Sequence, residues 1–166
     1  MKYRIAIVAA ALAVVASSGC ASNDGHQGHE AKAGHHAGAH GGDAIGKAGN
    51  PKKISRTVEI VASDNMRYTP DQINVKVGET IRFVVKNTGQ IKHEMVLGTQ
   101  KELLEHAALM QKFPEMEHAD ANMISLLPGK TGEIVWQFTN NGTVDFACLQ
   151  PGHMEAGMVG KVAVKH

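Results

Sequence analysis

The chain has 166 residues, 17 Lys+Arg against 16 Asp+Glu, and a formal net charge of +1 with neutral histidines. That balance, with no basic stripe and no aromatic ladder, excludes a nucleic-acid binder. The length allows one small domain beside flanking segments.

The chain opens with Met1-Lys-Tyr-Arg4, an apolar run from Ile5 to Ala16, and then Ser17-Ser-Gly-Cys20. A basic start, a short apolar stretch and small residues describe a secretory signal peptide over residues 1–20. The run is too short for a permanent membrane span. Cys20 after small residues is similar to a bacterial lipoprotein cleavage site, although Ser17 stands where that pattern prefers Leu. Lipidation at Cys20 and plain cleavage near Ala21 are the two alternatives, and only the first attaches the protein to a membrane. Both place the mature protein in a bacterial periplasm.

Residues 21–52 are rich in Gly, Ala and His and carry His26, His29, His35, His36 and His40. Such a segment cannot bury a core and is expected to be disordered. It reads as a metal-gathering arm, since imidazoles on a loose chain capture Cu(II), Zn or Ni. The alternative is a solubilising linker.

The pattern changes over residues 53–166, the predicted folded domain. Val58 and Ile60 alternate with polar neighbours, as do Ile73, Val75 and Val77, and Ile81, Phe83 and Val85. Ile91, His93, Met95 and Leu97 share one strand face. Thr99-Gln-Lys-Glu102 has the form of a capping box. It predicts a helix over residues 100–112, stopped by Phe113-Pro114, with Leu103, Ala107 and Met110 on one face. Alternation returns at Ile134, Trp136 and Phe138, at Val144, Phe146 and Cys148, and at Met158, Gly160, Val162 and Val164. The expectation is an all-β sandwich or barrel of antiparallel strands, with the helix as a long crossover connection.

The chemistry gathers at the end of these rows. Cys148 has no cysteine partner in the folded part, although the compartment favours disulfides. The segment Phe146-Ala-Cys148-Leu-Gln-Pro-Gly-His153-Met-Glu-Ala-Gly-Met158 places a thiol, an imidazole and a thioether in one short loop, and His93 stands upstream. Two histidines, a cysteine and a weak methionine are what a mononuclear electron-transfer copper centre needs. Structural zinc wants four strong ligands, and methionine is a poor one. A dinuclear purple centre needs two thiolates. Multicopper oxidases flank the cysteine with histidines, where this chain has Ala147 and Leu149. A Cys148–His153 nucleophile lacks an orienting residue or an oxyanion loop.

The spacing C-x4-H-x4-M, with Pro151-Gly152 before His153 and Phe146 two before Cys148, resembles the cupredoxin family of plastocyanins, azurins and rusticyanins. The resemblance implies a Greek-key β-sandwich, with His93, Cys148 and His153 as strong copper ligands and Met158 as the weak axial one. Glu94 departs from the family's usual Asn, a residue that ties the ligand loops together.

Between His106 and Met123 lie Met110, Met116 and His118, so Met110, Met116, His118 and Met123 form a candidate second Cu(I) site. Gap-filling core methionine is the competing reading, and it is the one expected for Met95 and Met66. Met154 is expected to border the copper. Arm, domain and insert together resemble the CopI-type periplasmic copper-tolerance cupredoxins, which have green-type centres. Membership implies protection against excess copper, and no enzyme activity is expected. The alternative is a one-electron carrier serving a periplasmic redox partner; Cu(I) oxidation would need an electron acceptor that the sequence does not reveal.

Overall fold

The computed structural model describes residues 42–114 and 119–166. The signal segment, Cys20, the arm histidines His26, His29, His35, His36 and His40, and the insert residues Met116 and His118 lie outside them.

A short helix α1 (Gly42–Ile45) and strand β1 (Lys47–Ala48) come first. Then follow β2 (Arg56–Ser63), β3 (Arg67–Thr69), β4 (Gln72–Lys76), β5 (Thr80–Asn87) and β6 (His93–Gly98). Helix α2 (Gln100–Lys112) leads to β7 (Met123–Leu126), β8 (Thr131–Gln137), β9 (Gly142–Ala147) and β10 (Val159–Lys165). The strands form two five-stranded sheets, ordered β1-β8-β5-β2-β3 and β4-β10-β9-β6-β7. Period-two patterning places one face of each sheet inward. In β4 only Ile73 and Val75 are buried, and in β10 Gly160, Val162 and Val164. Phe83 and Phe138 meet edge to face at 6.2 Å between ring centroids in the shared core.

Two features correct the expected strand arrangement. The pairs β2–β5 and β4–β10 are parallel, because the chain passes to the other sheet between β3 and β5 and returns alongside β2. Helix α2 is no crossover, since it joins β6 to β7, which are antiparallel neighbours.

The boundary also moves. Folding begins before residue 53: Ile45 is buried, its carbonyl accepts the Trp136 indole N–H at 2.9 Å, and β1 pairs with β8. Residues 42–52 therefore belong to the domain and not to the arm, because one apolar side chain and a strand edge are enough to dock them.

Helix α2 starts and stops where its caps dictate. The Glu102 N–H donates to Thr99 Oγ1 at 3.3 Å, and the Thr99 N–H donates to the Glu102 carboxylate at 2.8 Å. Phe113 leaves helical geometry (φ −135°) before Pro114, whose ring disfavours a helical predecessor. Leu103 and Met110 bury against Val96, Ala147 and Leu149. Each such side chain stabilises by about 1.5–3 kcal/mol when fully buried. This second cluster packs on Val96 of the outer β6 face, Gly98 faces Leu103, and Glu94 on the same face is met by Gln150 and Ser125, so all six β6 residues are buried.

A buried Cys–His–His centre at one end of a sheet

Strand register assembles the site. β9 lies between β6 and β10, with Leu97 opposite Phe146 and Val159 opposite Ala147. His93, Cys148 and Met158 thus fall at the same end of three adjacent strands. The Cys148 N–H donates to the Met158 carbonyl at 3.1 Å, and the Met158 N–H to the His153 carbonyl at 3.0 Å. Two turns bring His153 back. Its N–H donates to Gln150 O at 3.0 Å, and the Gly157 N–H to Met154 O at 3.0 Å. Gly157 has φ +97°, a conformation that side chains disfavour, and a Cβ there would lie 2.8 Å from Arg67 Nη1.

The ligating atoms of His93, Cys148 and His153 all lie within 4.8 Å of one another. Cys148 Sγ is 3.2 Å from His153 Nδ1, and the two imidazole rings are 5.1 Å apart. His93, Cys148 and Met158 are fully buried, whereas His153 is half-buried. His93 Nδ1 is buried without a hydrogen-bond partner, while Nε2 meets the Asp64 carboxylate at 2.9 Å. A buried ring nitrogen left bare is costly unless something else binds it. A buried thiol, one buried and one half-buried imidazole, and the buried Met158 at the same strand end fit copper.

Electrostatics hold the metal-free thiol in its protonated form. Burial pushes the Cys148 thiol from its ordinary 9.0 up to about 11, against the opposing N–H bonds of Glu94 and Gln150. Without metal the thiol keeps its proton at neutral pH, and a bound cation must displace it. Desolvation, then the neighbouring His93, lowers the pKa of His153 and favours the neutral ligand form. Asp64 is held below the usual carboxylate range, first by the Gln90 N–H and then by His93.

The family profile described as copper binding proteins, plastocyanin/azurin family, matches residues 55–165. This chain belongs to that family. The cofactor is therefore copper, and the two sheets are a cupredoxin sandwich. The copper-resistant cuproprotein CopI of Rubrivivax gelatinosus is 52% identical over 144 residues, covering 82% of this chain and 87% of that one. CopI of Pseudomonas aeruginosa is 37% identical over 153 residues, covering 75% of this chain and 84% of its own. The protein is thus a CopI-like cupredoxin. Among solved structures, dithionite-reduced auracyanin of Roseiflexus castenholzii matches with TM-score 0.57 and 27% identity, over 68% of this chain and 99% of that one. Auracyanin B matches with TM-score 0.61 and 20% identity, over 74% and 97%.

Within this cupredoxin, Glu94 does the tying that its departure from Asn had put in question. Its N–H donates to Cys148 Sγ at 3.2 Å, and its carboxylate accepts from Gln150 Nε2 at 2.7 Å and Ser125 Oγ at 3.3 Å. The Tyr68 hydroxyl donates to the Glu94 carbonyl. Asp64, Arg67 and Asn87 escaped the sequence reading, because Ser-Asp-Asn and Asn-Thr-Gly read as ordinary turns. The Arg67 guanidinium donates to Ala156 O at 2.8 Å in the ligand loop. Asn87 Nδ2 donates to Ile91 O at 2.8 Å and Leu126 O at 3.0 Å.

The candidate second site is only partly described. Met110 is not an exposed ligand: it is buried in the cluster under α2, because its helical spacing from Leu103 serves packing. Met123 is half-buried against the same cluster, and with His106 it lines a cavity of about 210 Å³ between α2 and β6–β7. Met95 is core, and Met66 packs on the core. Met154, next to His153, packs against the α2 cluster.

Proposed function

We propose that this cupredoxin contributes to copper tolerance in the periplasm by holding copper at His93, Cys148 and His153, with Met158 as the weak axial ligand, and by cycling it between Cu(I) and Cu(II). The observation that carries this reading is the bare, buried Nδ1 of His93 beside a lone buried thiol and a second imidazole. The CopI relatives are named copper-resistant, which supports the tolerance role. Copper supplies one-electron exchange when bound. The chain's residues do the rest. Cys148 would give up its proton as the cation binds, while His153, whose pKa burial lowers, stays neutral and keeps a ring nitrogen free to hold the metal. Cys148 belongs to the same apolar core cluster as Phe146, Leu97 and Met95, and dry surroundings of that kind tune a metal's potential. The protein is assigned no catalytic residue. The arm histidines His26, His29, His35, His36 and His40, and Met116, His118 and Met123 of the insert, are proposed as further copper-capturing groups.

A second reading is a one-electron carrier, favoured by the half-buried His153 beside the fully buried His93. Such a ring edge is a route for electrons to a docked partner. Copper sensitivity of a strain lacking the gene separates the two. Complementation by wild type and failure of Cys148→Ala is the expected result. If loss of the gene leaves copper sensitivity unchanged while respiration suffers, the carrier reading replaces tolerance.

A further inference from the structure

The turn between β2 and β3 lies far from the ligand loop in sequence, yet it touches both halves of the copper centre. Asp64 meets His93 Nε2 at 2.9 Å, and Arg67 holds Ala156 O of the ligand loop at 2.8 Å. Between them Met66 takes a left-handed backbone conformation, φ 59°, which residues with a side chain seldom adopt.

Asp64 is itself gripped. Its second oxygen accepts the Gln90 N–H at 2.7 Å. A Cβ on Gly89 would fall 1.8 Å from Asp64 Oδ1, so only glycine leaves room for the carboxylate. The Gly89 N–H donates to Asn87 Oδ1 at 2.8 Å, and Asn87 is fully buried. The bend over residues 87–91 is therefore a built cradle for Asp64.

We propose that Asp64 is a positioning residue of the copper centre: its carboxylate fixes His93 with Nε2–H outward and Nδ1 toward the metal, and its charge strengthens His93 as a donor so that Cu(II) is favoured over Cu(I). The proposal rests on the copper reading above and goes beyond it in naming what sets the balance of oxidation states. A carboxylate behind a ligating histidine raises the basicity of the ring and orients it. The Asp64 side chain is 40% exposed, so solvent screens part of its charge. The effect is correspondingly moderate.

The test uses the full mature chain loaded with Cu(II). In Asp64→Asn, the ratio of Cu(II) to Cu(I) affinity falls about tenfold, a rise of about 59 mV for a one-electron couple, and the thiolate-to-copper band shifts. Asp64→Glu keeps the charge and stays nearer the wild-type potential. Gly89→Ala displaces the carboxylate and moves the potential in the same direction as Asp64→Asn. An unchanged potential and band in Asp64→Asn would overturn the proposal, as would equal shifts in Asp64→Asn and Asp64→Glu. A readout without copper is the nitrogen chemical shift of the His93 ring. It reports one tautomer, Nε2–H, in the wild type and a mixture in Asp64→Ala; the same tautomer in both would remove Asp64 from the role. A wild type that takes up no copper would instead reject the functional reading and leave the tautomer result standing.

Discussion

The two sides of the copper centre are held by different physics. Residues 148–158 form a contiguous loop closed by its own backbone, through bonds from His153 to Gln150, Gly157 to Met154, and Met158 to His153. His93 has no such local support. Its ring is held by Asp64, 29 residues earlier, and Glu94 beside it is tied to Gln150 and Ser125 by contacts spanning 56 and 31 residues. One side is closed mainly by local backbone bonds, with Arg67 reaching in from β3; the other is held by side chains from distant parts of the chain. Cys148 is the joint, since its sulfur receives the N–H groups of Glu94 from one side and Gln150 from the other.

The largest expected effect is at that joint. Cys148→Ala abolishes the thiolate-to-copper absorption, because Cys148 is the free cysteine among the described residues. Retained colour would mean that the sulfur is not a ligand and that the two sides do not meet there.

A second effect concerns the copper-free protein. The Cys148 thiol is raised from 9.0 to about 11 by burial, so the unfolded chain loses its proton first as pH rises. The stabilisation is complete below pH 9 and is lost between about pH 9 and 11, by about 3 kcal/mol at 1.36 kcal/mol per unit. Denaturant titrations at pH 8 and pH 11 measure it, with Cys148→Ala as the reference that lacks this drop. An equal drop in that variant would show that the sulfur is not buried between the two sides.

The smallest effect separates the loop from its strong ligands. Met158→Leu preserves volume in the core, so it costs under about 1.5 kcal/mol in stability. It keeps copper bound and shifts potential and spectrum, as a weak axial donor should. Complete loss of copper would make Met158 a principal ligand and shift the weight of the centre to the loop side.

The helix and the strands differ in how plainly the chain announces them. Thr99, Glu102 and Pro114 bound α2 by local chemistry, and its observed limits, Gln100–Lys112, are those the caps dictate. The inward rows of β4, β5, β8 and β10 were legible from alternation. β1, β3 and β7 were not, because two to four residues are too few to show a period. Met110 shows another limit: one helical spacing suits a metal site and a packed core equally, and only the position of α2 over Val96 and Ala147 decides for the core.

By itself the order of residues determined what is local: an all-β chain with one capped helix, and a loop whose Cys, His and Met recur at spacings that short turns bring together. The tertiary structure alone decided which long-range groups stand behind those ligands, above all the Asp64 carboxylate on His93 and the Glu94 bridge to Gln150. Turn geometry depends on a few neighbouring dihedrals, and these can be read along the chain. A contact across 29 residues depends on register and sheet packing, which arise only when every strand has found its partner.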